Sequence, residues 1–154
     1  MGNKYYKLRR DLSIEVCGRK LFRIEATKNL TSKRVLKGEL GGYVESKNNL
    51  SDNAWVFDNA RVSGNARVFG NARVFDNAMV YGDAIVYGDA IVSGDAIVSG
   101  DAWVFGNARV YGDTRVSGDT RVFGNARVSG NAWVSGDARV YGDARVHGEI
   151  KDNE

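Results

Sequence analysis

The single histidine is the first residue to consider for chemistry, because imidazole is the commonest general acid or base in enzymes. His147 stands near the C-terminal end of the 154-residue chain, and the sequence holds no second histidine. A metal site that needs two or more imidazoles is therefore excluded within one chain, although three subunits could each supply one. The simplest interpretation of His147 is an exposed, solvated side chain, so we predict no catalytic residue.

A column of carboxylates is the second candidate for chemistry, because such oxygens are ligands for calcium. Asp83, Asp101, Asp119 and Asp137 recur every 18 residues. Calcium-binding β-rolls, however, use a nine-residue Gly- and Asp-rich repeat, and this chain has a six-residue one. Carboxylates at chain corners more often accept hydrogen bonds from nearby backbone amides. We therefore predict neither a metal ion nor a cofactor.

The element that positions these residues is an uninterrupted six-residue repeat. From Asn53 to Gly148 the chain consists of 16 hexads of the form Asn/Asp-Ala-x-Val-x-Gly, with Val always fourth. Ala and Val are two residues apart, so in an extended segment both point to the same side, and the x residues point outward. Gly followed by Asn or Asp forms a corner. Each hexad is therefore predicted to be a short strand and a turn of a parallel β-helix.

An 18-residue superperiod indicates three hexads in each coil. The residue after Val is aromatic at five positions 18 apart, and it is nearly always serine in a second such set. A third set is mixed. The sequence therefore predicts an all-β fold, a three-sided parallel β-helix of about five coils, in which Val, Ala and the inward Thr114 and Thr120 fill a narrow core.

The all-aromatic column, with the outward residues beside it, is the most informative predicted surface. Aromatic rings next to arginine are typical of interface hot spots. Three interpretations stay open: self-association through this face, a ladder of stacked rings or packing under the N-terminal cap, and binding of a foreign ligand. The candidate binding or interface residues are Arg67, Phe69, Tyr87, Trp103, Phe105, Arg121, Phe123, Arg139 and Tyr141.

The first 51 residues differ in charge and pattern. Residues 1–51 carry a net charge of +7, whereas residues 52–154 carry −4. Alternating residues on either side of Cys17-Gly18 predict a β-hairpin. We expect residues 1–51 to form a basic, β-rich cap, residues 52–148 the β-helix, and residues 149–154 a charged tail. Nucleic-acid phosphates are an alternative use of the basic side chains Lys7, Arg9, Arg10, Arg19, Lys20 and Arg23.

The junction between these two parts resembles a known group. The run from Gly38 to Ser46 (GELGGYVES), Asn49-Leu50-Ser51 and Ala54-Trp55-Val56 are similar to phage and bacterial hexapeptide-repeat proteins, often labelled as acyltransferases. The resemblance implies a left-handed β-helix, a homo-oligomer with a trimer favoured, and a phage or prophage origin. Acyltransferases of this fold use a histidine beside a groove between subunits, but this chain has no protruding loop between Asn53 and Gly148.

These observations favour a non-catalytic, oligomeric β-helix that acts by binding or scaffolding. Arginine with aromatic rings suits an anionic, nucleotide-like ligand. Sequestering such a ligand, or blocking a host defence factor, fits the implied phage origin. The alternatives are an acyltransferase that uses His147 and nucleic-acid binding through the basic cap, of which the latter is disfavoured because basic caps are usually only solvated.

Composition limits the class of protein and the cellular compartment that we expect. Hydrophobic residues make up 43% and charged residues 27% of the chain, values typical of a folded domain. No uncharged apolar run approaches the roughly 18–20 residues that span a bilayer, and the N-terminus has no apolar signal segment. The single cysteine, Cys17, cannot form an internal disulfide. We therefore expect a cytoplasmic protein without membrane contact, and the phage origin that the resemblance implies would place it in a bacterial host.

Overall fold

The computed structural model describes residues 5–150, which form a parallel β-solenoid of about six turns. Strands one coil apart pair in parallel and in register, such as Val56 with Val74 and Val74 with Val92. The strands are β1 (Tyr6–Val16), β2 (Arg19–Ala26), β3 (Leu40–Val44), β4 (Trp55–Val56), β5 (Arg61–Val62), β6 (Arg67–Val68), β7 (Arg73–Val74), β8 (Met79–Val80), β9 (Ile85–Val86), β10 (Ile91–Val92), β11 (Ile97–Val98), β12 (Trp103–Val104), β13 (Arg109–Val110), β14 (Arg115–Val116), β15 (Arg121–Val122), β16 (Arg127–Val128), β17 (Trp133–Val134), β18 (Arg139–Val140), β19 (Arg145–Val146) and β20 (Glu149–Ile150).

Three sheets form the three sides that the 18-residue superperiod predicts. The nine-stranded wall has the order β1-β2-β3-β5-β8-β11-β14-β17-β20, the six-stranded wall β19-β16-β13-β10-β7-β4, and the five-stranded wall β18-β15-β12-β9-β6. Successive hexads therefore contribute to successive walls. Short 3-10 turns at Thr31–Lys33 and Lys47–Asn49 are the helical segments of the described chain.

The hexad pattern explains each strand and each corner. The fourth-position valines and nearly all second-position alanines of the hexads are buried in one continuous core. From Asp58 to Gly142, the corner residue at position six adopts a left-handed conformation, which glycine tolerates best. Asp58 and Asp76 occupy two of these corners with φ of 57° and 61°, and the Oδ2 atom of Asp76 accepts a hydrogen bond from the amide of Gly94.

Two buried threonines replace alanine in the core, as the pattern predicts. Thr114 and Thr120 both have no exposed surface. The hydroxyl of Thr120 donates to the carbonyl of Ser117 at 2.6 Å. Among the described residues, the hydroxyl of Thr114 has no hydrogen-bond partner. The two positions are thus equivalent in the repeat and different in their hydrogen bonding.

Parallel pairing extends beyond the predicted unit of residues 52–148 at both ends. Val44 in β3 pairs with Val62, and Leu50 forms a bridge with Val68. Val44 and Leu50 are fully buried and lie 12 and six residues before Val56, so the six-residue spacing of core residues begins upstream of the recognisable hexads. At the other end β20 pairs with β17 inside the predicted tail.

The predicted N-terminal hairpin is present and continues the nine-stranded wall. β1 pairs antiparallel with β2, and β2 pairs antiparallel with β3. Close approach requires glycine at β3, because a Cβ atom on Gly41 would lie 2.5 Å from the carbonyl oxygen of Val56. The hairpin therefore joins the solenoid edge directly.

Two tyrosines close the first coil. The hydroxyl of Tyr5 donates to the carbonyl of Ala54 at 3.1 Å, and that of Tyr6 donates to the carbonyl of Leu50 at 2.6 Å. Both rings pack on Trp55, which is only 1% exposed. Burial raises the pKa of both tyrosine hydroxyls well above the ordinary value.

Within residues 5–150, no helix is long and apolar enough to cross a membrane.

Candidate binding surface

The structure brings all nine predicted binding residues together on the outer side of the five-stranded wall. The outward residues of the strands supply arginine and tryptophan, and the residue after each valine supplies an aromatic ring. We call the five rings the aromatic ladder and, with the four outward residues beside them, the ladder face. The ladder comprises Phe69, Tyr87, Phe105, Phe123 and Tyr141.

The rings of the aromatic ladder stack along the solenoid axis without a gap. The ring centroids are 5.1 Å apart for Phe69 and Tyr87, 4.9 Å for Tyr87 and Phe105, and 5.0 Å for Phe105 and Phe123. The last pair, Phe123 and Tyr141, is 5.4 Å apart. The interplanar angles are 3°, 4°, 4° and 11°. The five rings therefore form a continuous stack, and this stack is compatible with each of the three interpretations of the face.

Trp103 and Arg121 extend the ladder sideways at its middle. The Trp103 ring meets Tyr87 and Phe105 edge to face, at 6.3 and 6.5 Å. The guanidinium of Arg121 lies over the same tryptophan, 4.4 Å from its ring centre. Its Nη1 atom also donates to the backbone carbonyls of Asp101 and Asp119 at 3.3 and 3.0 Å. Arg121 therefore already has partners within the chain.

The two arginines at the ends of the ladder face differ from Arg121, because their side chains have no hydrogen-bond or ion-pair partner among the described residues. Arg67 beside Phe69 and Arg139 beside Tyr141 are exposed, and neither guanidinium group makes a hydrogen bond or ion pair with another described residue. Tyr141 itself is 59% exposed. The ladder face thus has a rigid middle and a free guanidinium at each end.

His147 lies outward on the last described coil, as predicted, and away from the ladder face. It follows β19 in the six-stranded wall, and its Nδ1 atom is 3.0 Å from the hydroxyl of Ser129, one coil earlier. Ser129 is only 5% exposed. The contact is that of two neighbours in one column, 18 residues apart.

The corner carboxylates form side-chain contacts between coils. The amide of Asn65 donates to Asp83 at 3.2 Å, and two other corners show the same arrangement, Asn77 with Asp95 and Asn125 with Asp143. In residues 5–150 no group of three or more His, Cys, Asp or Glu side chains has a geometry that could hold a metal ion.

The basic side chains of the cap have partners inside the cap. Arg9 contacts Asp11 and Glu25 at 2.7 and 2.9 Å, and Lys7 lies 3.8 Å from Glu25. Arg19 forms an ion pair with Glu45 at 3.0 Å, and Arg10 lies over the ring of Phe22. Arg23 lies over the ring of Tyr43 and donates a hydrogen bond to the carbonyl of Gly41. These contacts favour a structural role for most of the predicted phosphate-binding residues.

The structure adds a groove on the six-stranded wall that the sequence did not single out. The groove has a volume of about 390 Å³ and is lined by Phe75, Asp76, Ile91, Ser93, Arg109, Tyr111 and Arg127. Phe75, Ser93 and Tyr111 belong to the column of mixed composition, whose irregularity is the signal that could have found the groove. Above the groove, Arg73 donates to the carbonyl of Ser32 in the cap at 3.0 Å. There the buried Lys33 has a pKa lowered by burial and by Arg73.

Comparison with known proteins agrees with this architecture. No curated protein matches the chain. The family model of the YdcK beta solenoid repeat matches six consecutive segments, at residues 60–74, 72–88, 86–100, 102–118, 121–136 and 132–148. These segments cover more than half of the 154 residues and coincide with the hexads of the three walls. The chain therefore belongs to the YdcK beta-solenoid repeat family.

Proposed function

We propose that the protein acts by binding, not by catalysis, as a rigid β-solenoid that self-associates through the ladder face. The observation that carries this proposal is the unbroken stack of five rings with an unpaired arginine at either end. Aromatic rings and arginine are the side chains that most often dominate binding energy at protein interfaces.

The stack supports association because the rings are held in place before a partner arrives. Binding usually costs free energy to immobilise side chains at the interface. Here the three inner rings are each stacked between two neighbours, and Arg121 lies over Trp103 at 4.4 Å. A partner that covers the half-exposed ring edges removes apolar surface from water at little additional entropic cost.

A second copy of the chain is the occupant that fits the ends of the ladder face. In an antiparallel two-fold arrangement, Arg67 of each copy meets Tyr141 of the other, a guanidinium over an exposed ring. In a three-fold arrangement, which the resemblance implies, the ladder faces of the three copies pack against one another around the common axis. The molar mass in solution distinguishes the two arrangements.

Charge reversal at the two ends tests this proposal without disturbing the stack. Arg67→Glu combined with Arg139→Glu removes no hydrogen bond, ion pair or ring contact between described residues, because neither side chain makes one. We expect the oligomer to dissociate toward the 16.9 kDa monomer in light scattering. The matched control, Arg127→Glu with Arg145→Glu, reverses two exposed charges on the six-stranded wall and should leave the mass unchanged. Equal masses for both variants would contradict the proposal.

The finer roles stay predictions: the phage origin and interference with a host defence factor follow from the resemblance, whereas a nucleotide-like ligand follows from arginine beside aromatic rings. Sequestration of a nucleotide-like ligand and interference with a host defence factor both require a partner other than a second copy. For Arg121, its contacts with Trp103 and two carbonyls favour a structural role over ligand binding. Acyl transfer through His147 is the competing enzymatic function, and its test is given below.

A further inference from the structure

The six-stranded wall carries a second aromatic column, and this column lacks one ring. Phe57 and Phe75 stack at 4.9 Å, as the rings of the aromatic ladder do. The next position along the column is Ser93, and the one after it is Tyr111. Phe75 and Tyr111 are therefore two coils, or about 10 Å, apart, with a hydroxymethyl group between them.

The aromatic ladder shows what fits an interval of two coils. Tyr87 occupies the equivalent interval between Phe69 and Phe105, at 5.1 Å from one ring and 4.9 Å from the other. One planar ring therefore fills such a space while it stacks on both sides. At Ser93 the chain supplies no ring, and an open groove of about 390 Å³ takes its place. This volume lies within the range of small-molecule sites.

The charged side chains of the groove indicate which chemical group accompanies the ring of the ligand. Arg109 and Arg127 line the groove and are exposed, and their guanidinium groups make no hydrogen bond or ion pair with another described residue. The one carboxylate in the lining, Asp76, accepts a hydrogen bond from the amide of Gly94 at 3.0 Å. Two unpaired guanidiniums next to a ring-sized slot favour a phosphate or carboxylate attached to an aromatic ring.

We propose that the slot over Ser93, between Phe75 and Tyr111, binds a planar aromatic anion, with the ring stacked between these two side chains and the anionic group on Arg109 and Arg127. A nucleoside monophosphate and an aromatic carboxylate share this chemistry. The site lies on a different wall from the ladder face, so it stands independently of the proposed self-association.

The test is calorimetric titration of the full chain with four probes. Adenosine monophosphate and 2-naphthoate carry both a ring and an anionic group, whereas adenosine and inorganic phosphate each carry only one. We expect at least one of the first two probes to bind, and adenosine and phosphate to bind at least about tenfold more weakly. Whichever of the first two binds more tightly identifies the anion. Binding of neither, or equal binding of adenosine and its monophosphate, would overturn the proposal.

Two variants locate the site. Ser93→Phe supplies the missing ring, so it should abolish probe binding and raise the unfolding temperature by completing a stack from Phe57 to Tyr111. Ser117→Phe is the matched control, because its column neighbours Ser99 and Ser135 offer no ring pair.

Arg109→Ala with Arg127→Ala should weaken anion binding at least about tenfold without lowering the unfolding temperature. Unchanged binding in both Ser93→Phe and the double-arginine variant would also overturn the proposal.

Discussion

The guanidinium of Arg121 lies 4.4 Å from the centre of the Trp103 ring, one coil away on the same wall. The same guanidinium donates hydrogen bonds to the backbone carbonyls of the corner residues Asp101 and Asp119. It therefore links the tryptophan ring to the backbone at these corners. Trp103 in turn contacts two rings of the ladder. Arg121 thus connects a corner of the backbone to the middle of the ladder face.

Replacing Arg121 should therefore weaken the fold. Arg121→Ala loses a cation–π contact and the hydrogen bonds from its guanidinium to backbone carbonyls, so we expect the free energy of unfolding to fall by about 1–2 kcal/mol. Chemical denaturation measures this change. Arg67→Ala is the control, because Arg67 occupies the same column without such contacts, and it should alter stability by less than about 0.5 kcal/mol. Equal effects at both positions would show that the contacts of Arg121 contribute nothing.

The two core threonines should respond oppositely to the same substitution. Thr114→Val removes a buried hydroxyl that has no partner among the described residues, so it should raise the free energy of unfolding by about 1 kcal/mol. Thr120→Val removes the 2.6 Å hydrogen bond to Ser117 and should lower it by about 1 kcal/mol. Thermal unfolding of both variants gives the comparison. Destabilisation by both would mean that the Thr114 hydroxyl has a partner, such as a buried water.

The assignment of inward and outward columns can be tested at neighbouring strands. Val104→Asp places a carboxylate among valine and alanine side chains from three walls, where Val104 has no exposed surface. Burial of an unpaired charge should cost about 4 kcal/mol or more and prevent folding of the central coils. Arg109→Ala on the exterior should leave stability unchanged. Equal tolerance at the two positions would reverse the assignment.

An enzymatic function through the only histidine makes a distinct prediction. A general base contributes roughly 10²–10⁴-fold to rate, so an acyltransferase that depends on His147 should lose its turnover in His147→Ala. We expect the wild-type protein to show no turnover of acyl-CoA with amine or hydroxyl acceptors, as followed by thiol release. Turnover that disappears in His147→Ala, while Ser129→Ala keeps it, would establish catalysis and contradict the binding function.

Much of the fold was predictable because one repeat decides it. Val at the fourth position of each hexad and Gly or Asp at each corner determine the strands, and the 18-residue superperiod determines the three walls. The inward placement of Thr114 and the stacking of Phe105 on Phe123 follow from the same periodicity. The first coil was harder to recognise, because Val44 and Leu50 keep the spacing without the surrounding hexad residues. The direction of coiling stays a prediction, since the period alone does not determine handedness.

The contacts that the sequence could not predict are those between distant segments. Trp55 stands at an outward position of its hexad, yet it is buried because Tyr5 and Tyr6 fold over it. Arg73 is likewise held by Ser32, 41 residues away. The repeat determines how each coil contacts the next one. These contacts instead depend on how the non-repetitive cap packs against the solenoid.

Light scattering of the wild-type protein and one double variant tests the central claim most directly. At tens of micromolar, we expect the wild-type mass to be a multiple of 16.9 kDa. Phe105→Ser with Phe123→Ser, which removes two rings of the ladder, should reduce it to that of the monomer. Phe57→Ser with Phe75→Ser removes an equivalent stacked pair from another wall and should leave the oligomer intact. A monomeric wild type, or equal dissociation by both double variants, would contradict self-association through the ladder face.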